Sequence, residues 1–287
     1  MGNYYLYRIA EFITGYLPLS LSYAVAVFLA DCQYFLSKND RKAVEDNLKN
    51  ILKTDQVPSY MVRDVFRYFG KHLVDFFTIT KRVNKDFIKS SVQISGVEQL
   101  NEVIHKGKGG ILVSAHLGNW EMGGAVLSLL GYPMSVVALA HKDDRVNVFF
   151  NKKREFFGAV VIQTNVAIRR CLGHLKRNRI VAILADRDFG HHGLYRSFFG
   201  KKSVIPKGAA LFALKTGAPI IPAFFLRTDN NHFQIIIKDP IYPPPEAQRG
   251  TDEVEVENLV SKYLYLIEEQ IQQNPSQWLM FYPFEVK

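Results

Sequence analysis

The chain has 287 residues, enough for one α/β domain with additional helices, and its 48% hydrophobic content can fill a large core. Its 36 Lys and Arg residues exceed its 27 Asp and Glu residues, and the net charge of +9 suits an anionic membrane, a phosphate group or an acidic carrier protein. No nucleic-acid-binding signature is present, so we expect no nucleic-acid partner, and Cys32 and Cys171 lack metal-ligand spacing and are expected to be free thiols.

The first 36 residues have the composition of a segment that contacts a membrane. Residues 12–30 carry no charge, and this run of 19 could just cross a bilayer. Because Pro18 and several small residues interrupt the run, a hairpin in the membrane interface, bent at Leu17 and Pro18, is an alternative. Residues 1–36 are therefore predicted to be a membrane anchor or interfacial segment. Basic residues that follow favour a cytoplasmic location for the remainder, namely Lys38, Arg41, Lys42 and Lys49.

Residues 37–287 are predicted to form a second unit, helical over 37–90 and α/β over 91–287. Helices are predicted over 41–52 and 61–79 from apolar residues that recur on one face. Strands are then predicted over 92–95, 110–115, 134–140, 160–162, 180–185, 219–226 and 233–238. Helices are predicted between and after them, over 97–105, 120–130, 144–157, 165–177, 207–216 and 254–273. This alternation indicates an α/β fold with a largely parallel central sheet flanked by helices.

A histidine and a glutamate follow the second of these strands. On a helix, residues five apart point about 140° away from each other, so His116 must lie in the turn and fold back toward Glu121. Asn119 is a suitable N-cap, and an ionised Glu121 in the first helical turn could hold one nitrogen of the imidazole. The other nitrogen would then be free to act as a general base. The alternative is an ordinary loop histidine followed by a glutamate that favours a helix start.

A second cluster of charged residues follows the strand over 180–185. Asp186, Arg187 and Asp188 come first, and His191 and His192 follow shortly after. Because ligands of parallel sheets gather at the carboxyl ends of strands, this segment could position a substrate headgroup opposite His116. Two alternatives remain open, a metal site built from Asp and His ligands and a charged loop that contains an Asp–Arg pair.

Three further basic residues are candidates for contact with an anion. Lys201 and Lys202 precede a helix predicted to begin near Pro206 or Lys207, where free backbone N–H groups attract anions such as phosphate. The alternative for this pair is an ordinary solvated surface. Arg154, on the helix predicted over 144–157, is the third candidate.

These segments together resemble a known family. The chain is similar to the lipid A biosynthesis acyltransferases, the lauroyl and myristoyl transferases of Gram-negative bacteria, which share a His-x4-Asp/Glu motif with the wider glycerolipid acyltransferases. The matching segments occur in order along the chain: 41–48, His116 with Glu121, Arg154 ahead of Gly158, 186–190, 198–200, 215–222 and 275–278. Residues 280–284 depart from the pattern, because they are apolar where the family usually has a basic run. The segment around His116 also looks like that of phosphatidylinositol mannoside acyltransferases.

The resemblance implies a glycerolipid-acyltransferase-like fold with an N-terminal membrane-associated helical segment. It implies transfer of a fatty acyl group from acyl carrier protein or acyl-CoA to a hydroxyl of a glycolipid, with lipid A precursor as the leading candidate. His116 would be the base and Glu121 its orienting carboxylate. The remaining candidate substrate-binding residues are Asn119, Arg154, Asp186, Arg187, Asp188, Lys201 and Lys202.

The expected setting is the cytoplasmic face of the inner membrane, with membrane lipids as further partners. Backbone N–H groups near Gly118 and Asn119, or Arg154, could stabilise the oxyanion. No metal and no cofactor is expected. Three alternatives share the residues: a glycerophosphate or lysophospholipid acyltransferase, a hydrolase of acyl thioesters, and a non-catalytic lipid-binding protein.

Overall fold

Five helices begin the computed structural model, which describes residues 2–164, 167–188, 193–245 and 253–286. The helices are α1 (Gly2–Tyr16), α2 (Leu19–Leu36), α3 (Lys38–Leu52), α4 (Ser59–Arg82) and α5 (Lys85–Ser91). The break between α1 and α2 falls at Leu17 and Pro18, where the sequence predicts a bend. Proline lacks the N–H that would continue α1, and its fixed φ suits the residue that starts the next helix.

Strands and helices alternate from residue 92 onward. The strands are β1 (Val92–Ser95), β2 (Gly110–Ser114), β3 (Met134–Ala138), β4 (Val160–Gln163), β5 (Ile180–Leu184), β6 (Leu194–Phe198), β7 (Lys201–Ile205), β8 (Ile220–Arg227) and β9 (Phe233–Ile237). The helices are α6 (Val97–His105), α7 (Trp120–Leu129), α8 (Asp144–Glu155), α9 (Ala167–Leu175), α10 (Gly208–Thr216) and α11 (Glu253–Gln273). Every strand and helix predicted in this region is present. The predicted start of α9 at residue 165 lies outside the described residues.

Seven of the strands form one sheet, in the order β1-β9-β8-β2-β5-β3-β4. β8, β2, β5, β3 and β4 run parallel to one another, whereas β9 is antiparallel to β8 and parallel to β1. The largely parallel sheet predicted from the sequence is therefore confirmed. β2 is the central strand, and its carboxyl end lies beside the carboxyl end of β5, where ligands of such sheets bind.

Helices cover both faces of the sheet. Ile111 and Val113 of β2 belong to a core that includes residues of α9, α10 and α11, whereas Leu112 packs with residues of α7 on the other face. All five residues of β2 are buried, as the uninterrupted apolar run predicts for a central parallel strand. Full burial of an aliphatic side chain contributes about 1.5–3 kcal/mol to folding, so β2 is a strongly fixed support for the turn that follows it.

A buried carboxylate on α4 joins the N-terminal helices to the sheet. Asp75 accepts hydrogen bonds from the Tyr23 hydroxyl of α2, from the Arg227 guanidinium of β8 and from Arg82 Nη1 at 2.7 Å. It is fully buried, and it also accepts from Asn119 Nδ2 at 2.7 Å. Because removal of one partner from a buried ion pair typically costs about 3–5 kcal/mol, these contacts fix α2, α4 and β8 relative to one another.

α1 and α2 leave most of their large apolar side chains exposed. α2 faces α4 through Asp31, which pairs with Arg63 and Arg67. By length and composition α2 could cross a membrane, and only 17% of its residues are buried inside the protein. The exposed apolar residues of the two helices are Tyr5, Leu6, Ile9, Phe12, Ile13, Tyr16, Leu21, Val25, Phe28, Leu29, Phe35 and Leu36.

The β6–β7 hairpin and the short helix α5 were not predicted. The hairpin turns at Phe199 (φ 48°) and Gly200 (φ 76°), and two successive positive φ angles suit the twist of a two-residue hairpin turn. Phenylalanine rarely adopts this conformation, which hides the turn from a sequence pattern. Lys201 and Lys202 consequently lie on a strand and not immediately before a helix.

A buried histidine on α4 carries no hydrogen bond among the described residues. The His72 ring centroid lies 4.3 Å from that of Trp120, and Nδ1 is buried without a partner. Burial lowers the pKa of His72 to about 4, although the charges of Glu121 and Asp75 act in the opposite direction. The ring is therefore neutral at pH 7.

We predict that His72 makes the fold sensitive to acid. Because its pKa falls from 6.5 to about 4 on folding, the unfolded chain takes up the proton first as the pH is lowered. This contribution to the free energy of unfolding is complete above pH 6.5 and is lost between pH 6.5 and 4, by up to about 3 kcal/mol. Denaturant unfolding at several pH values should show that His72→Phe lacks this part of the decline. Identical pH slopes for the two proteins would contradict the prediction.

Candidate active site

Two parallel strands place His116 and Asp186 side by side. β2 and β5 pair with Ser114 opposite Leu184, and the Ala185 N–H continues this pairing by donating to the Ser114 carbonyl at 2.8 Å. His116 and Asp186 each lie two residues beyond the Ser114–Leu184 pair. Their proximity therefore follows from the strand order and from equal offsets along neighbouring strands.

Asp186 holds the His116 side chain. Its Oδ1 lies 2.8 Å from His116 Nδ1, and its Oδ2 accepts from the His116 backbone N–H at 3.0 Å and from Trp278 Nε1 at 2.8 Å. Burial alone would raise the pKa of Asp186, but His116, Arg187 and the Trp278 hydrogen bond together hold it below its usual range. An ionised Asp186 can only accept, so Nδ1 carries the shared proton and Nε2 of the neutral ring has a free lone pair.

Glu121 occupies a different position from the one predicted. Its carboxylate pairs with Arg154, with distances of 3.0 Å to Nε and 2.6 Å to Nη2. Burial raises the pKa of Glu121, but Arg154, with smaller contributions from His72 and Trp120, holds the pKa below its usual value. The prediction that Glu121 orients the His116 ring is wrong: Glu121 points toward α8 from the first turn of α7, and Asp186 takes the place beside Nδ1.

The turn between β2 and α7 is held by backbone hydrogen bonds. Gly118 has φ +65°, and a Cβ there would lie 2.1 Å from the Phe225 carbonyl oxygen, so this position requires glycine. The Gly118 N–H donates to the Gln277 carbonyl at 2.9 Å, and the Asn119 N–H donates to the Phe225 carbonyl at 2.6 Å. Both N–H groups are engaged, which corrects the prediction that they are free to bind an oxyanion.

Asn119 is buried with both ends of its amide occupied. Oδ1 accepts from the Met122 N–H at 3.1 Å, which confirms the predicted N-cap of α7. Nδ2 donates to Asp75 at 2.7 Å. The side chain therefore links the turn between β2 and α7 to the buried carboxylate of α4. This placement corrects the prediction that Asn119 binds substrate.

The C-terminal segment packs over the same turn. The Gln277 side chain donates to the Arg227 carbonyl and accepts from the Arg227 N–H, both at 2.9 Å. The Leu279 N–H donates to the His116 carbonyl at 2.9 Å. Gln277 contacts Gly118, Trp278 contacts Asp186, and Leu279 contacts His116 itself. These three consecutive residues of the C-terminal segment therefore fix the position of His116. Residues 275–278 match the family in sequence, but no role in the site was predicted for them.

Residues 280–284 have a packing role that explains their apolar character. The ring centroid of Phe281 lies 5.0 Å from that of Phe66 on α4, and that of Phe284 lies 5.6 Å from that of Trp278. Aromatic pairs at these distances add to the stabilisation from burial. A basic run at this position would lose these contacts.

Arg187 and Asp188 line the same apolar cavity as His116. Arg187 donates through Nη2 to the Leu279 carbonyl, and its guanidinium lies 5.2 Å from the Tyr282 ring centroid. Asp188 Oδ2 accepts from the Gly193 N–H at 2.5 Å. Both predicted residues thus lie at the cavity that His116 lines, and each also hydrogen-bonds a residue outside β5.

Two other parts of the predicted site are not confirmed as part of the cavity lining. Lys201 and Lys202 do not line this cavity: Lys201 Nζ lies 4.0 Å from Glu285, and Lys202 Nζ lies 4.5 Å from the Tyr195 ring centroid. Residues 189–192, with the two histidines considered as metal ligands, lie outside the described residues. Within the described ranges, no three His, Cys, Asp or Glu side chains form a metal-binding group.

An apolar cavity of about 860 Å³ opens beside His116. β2, β3 and β5 form one wall, and α4, α7 and α8 form the other. Its apolar lining includes Phe76, Ile79, Leu112, Ala125, Met134, Val136, Ala138, Ala182 and Leu184. Its polar lining includes His72, His116, Glu121, Arg154, Arg187 and Asp188. A large apolar space with a histidine in its lining suits a long apolar ligand with a polar reacting group.

Three buried residues near this site escaped sequence reasoning. Asp75 and His72 lie on the apolar stripe of α4, which predicts a core helix and gives no reason to single out two polar positions. Trp278 lies in segment 275–278, which matches the family, but its residue type alone predicts no role in the site. Each acts through contacts with residues far away in the sequence, and such contacts leave no local pattern.

Proteins with similar sequences belong to one known family of bacterial acyltransferases. The family model for bacterial lipid A biosynthesis acyltransferases matches residues 1–284. The chain is 24% identical over 264 residues to a phosphatidylinositol mannoside acyltransferase of Mycobacterium tuberculosis, covering 89% of this chain and 80% of that protein. It is 25% identical over 226 residues to the lipid A biosynthesis palmitoleoyltransferase of Escherichia coli K12, covering 76% and 69% respectively.

A lipid A biosynthesis acyltransferase of Haemophilus influenzae is 24% identical over 191 residues, covering 66% of this chain and 60% of that protein. The family match extends over nearly the whole chain and includes both His116 and Asp186. The chain therefore belongs to the bacterial lipid A biosynthesis acyltransferase family and is an acyltransferase.

Proposed function

We propose that this protein transfers a fatty acyl group from an acyl thioester to a hydroxyl group of a glycolipid, with His116 as the general base. The observation that carries the proposal is the His116–Asp186 pair at the edge of an apolar cavity. A hydroxyl is a weak nucleophile at neutral pH, so a positioned base must remove its proton as it attacks. The cavity supplies an apolar environment for the acyl chain.

The reaction proceeds by direct transfer. The acceptor hydroxyl oxygen bonds to the thioester carbonyl carbon while His116 Nε2 takes the hydroxyl proton. Asp186 stabilises the imidazolium that forms. Collapse of the tetrahedral intermediate breaks the carbon–sulfur bond, and the imidazolium returns the proton to the departing thiolate. No acyl-enzyme is required, and burial raises the pKa of the Cys171 thiol to about 12, which makes it a poor nucleophile.

Arg154 and Arg187 are the proposed contacts for the polar part of the substrates. Both guanidinium groups lie at the cavity, and each is held by a partner: Arg154 by Glu121, and Arg187 by the Leu279 carbonyl. A held guanidinium loses little conformational freedom when it binds a carbonyl oxygen or a phosphate. Glu121 would then act as a positioning residue for Arg154.

The names of the relatives support a glycolipid acceptor. One is a phosphatidylinositol mannoside acyltransferase, and others are lipid A biosynthesis acyltransferases. We propose a lipid A precursor or a related cell-envelope glycolipid as acceptor and an acyl thioester of acyl carrier protein or CoA as donor. The net charge of +9 favours approach of an acidic carrier protein.

We also propose that residues 1–36 hold the protein at the cytoplasmic face of the inner membrane. The exposed apolar side chains of α1 and α2 support this location, because such a surface is stabilised by contact with lipid. Tyr7 of α1 lies at the cavity itself. One of the helices that would meet the membrane, α1, therefore stands next to the proposed acyl site.

His116→Ala and Asp186→Asn are expected to lower kcat by about 10²–10⁴-fold, because each removes the base or the group that fixes its tautomer. Trp278→Phe should have a smaller effect, because it removes only one hydrogen bond to Asp186. Glu121→Gln should lower thermal stability and also weaken the substrate contact proposed for Arg154, since it leaves Arg154 without its charged partner. A folded Asp186→Asn enzyme with nearly normal kcat would disprove the assigned pair.

Parallel acyl-transfer assays should show which acceptor is used. We expect thiol release from acyl carrier protein or CoA thioesters to require a glycolipid, either lipid A precursor or a phosphatidylinositol mannoside. A clear preference for lysophosphatidate would support the lysophospholipid alternative. Equal thiol release without any acceptor would identify a hydrolase, and lipid binding without thiol release would identify a non-catalytic protein.

Membrane contact can be tested with two equally exposed aromatic residues. Phe28 on α2 and Tyr265 on α11 are each 66% exposed. Phe28→Glu should weaken binding to anionic phospholipid vesicles by roughly tenfold or more, measured by flotation, because burial of such a side chain contributes about 1.5–3 kcal/mol. Tyr265→Glu should leave binding unchanged. Equal effects of the two variants would argue against the proposed membrane surface.

A further inference from the structure

Two adjacent glycines in α7 have different surroundings. A Cβ at Gly123 would lie 1.9 Å from the Phe225 ring, so tight packing requires glycine there. A Cβ at Gly124 would meet no atom within 4 Å. Glycine is less favourable than alanine inside a helix. Packing therefore explains the first glycine but gives no reason for the second.

The open space beside Gly124 belongs to the apolar cavity. α7 begins at the carboxyl edge of the sheet, beside His116, and runs back toward the start of β3. At 1.5 Å per residue, Gly124 lies about 5 Å beyond Glu121 along the helix. Met134, at the first position of β3, lines a deeper part of the cavity. Gly124 thus lies between the reacting end of the cavity and its far end.

Small residues also line other parts of the cavity. Ala182 lines it from the middle of β5, Ala138 from the carboxyl end of β3, and Ala125 follows Gly124 on α7. Small side chains at these positions leave space that larger ones would fill. A Cβ at position 124 would meet no neighbouring atom within 4 Å, so a side chain has room to begin there.

We infer that Gly124 determines which acyl-chain length the enzyme transfers. This inference rests on the proposed function, because it requires that the acyl chain fills the cavity with its carbonyl near His116. The lack of a side chain at position 124 lets the tail pass toward Met134. A leucine there would exclude the end of a long chain, and each methylene kept out of the apolar site weakens transition-state binding about fourfold.

The test is the relative kcat/KM for saturated acyl thioesters of increasing length, measured for the wild type and for Gly124→Leu. Relative to the wild type, we expect the variant to lose activity by about fourfold for each methylene beyond a new, shorter optimum, with the smallest loss for the shortest thioesters. Gly124→Ala should preserve the length profile and raise the melting temperature, because alanine favours the helix.

Gly173 in α9 provides a matched control. A Cβ there also meets no atom within 4 Å, but α9 does not line the cavity. Gly173→Leu should keep the wild-type length profile. An unchanged profile in a folded, active Gly124→Leu enzyme would overturn the inference and leave the proposed function intact. Absence of acyl transfer by the wild type with every thioester would instead overturn the proposed function.

Discussion

One buried carboxylate organises the edge of the sheet where the proposed active site lies. Asp186 accepts hydrogen bonds from the ring and the backbone N–H of His116 and from the indole N–H of Trp278. The ends of β2 and β5 and the C-terminal segment therefore meet at one charged side chain. A buried carboxylate without such partners would cost several kcal/mol or become protonated. The contacts that make this charge tolerable are the ones that position His116. Stability of the edge and orientation of the proposed base therefore depend on the same hydrogen bonds.

A second buried carboxylate connects that edge to the N-terminal helices. Asp75 on α4 binds Tyr23 of α2 and, through Asn119, the turn that follows His116. One face of α4 packs against α2, and other residues of α4, including Phe76, line the cavity. The helices that expose apolar surface and the cavity proposed to hold an acyl chain thus share one rigid element. This arrangement suits an enzyme that draws an apolar substrate from a membrane.

Local patterns account for most of the fold, because the alternation of apolar runs and amphipathic segments reflects which faces are buried. They also located His116 and the segment that contains Asp186, since both follow predicted strands. These patterns did not predict that His116 pairs with Asp186. Glu121 is five positions from His116 in the sequence, whereas Asp186 is seventy positions away. Only the order of β2 and β5 in the sheet brings His116 and Asp186 together. The β6–β7 hairpin was missed because Phe199 adopts a conformation that its residue type disfavours.

The most direct test of this account is the tautomer of His116. Nitrogen-15 NMR of histidine-labelled protein, with His116→Gln to assign the signals, reports which ring nitrogen carries the proton in the neutral imidazole. The account predicts a proton on Nδ1, held by Asp186, and an unprotonated Nε2. Asp186→Asn should disturb this signal, and Glu121→Gln should leave it in place. A proton on Nε2 in the wild type, or a signal that changes with Glu121 and not with Asp186, would contradict it.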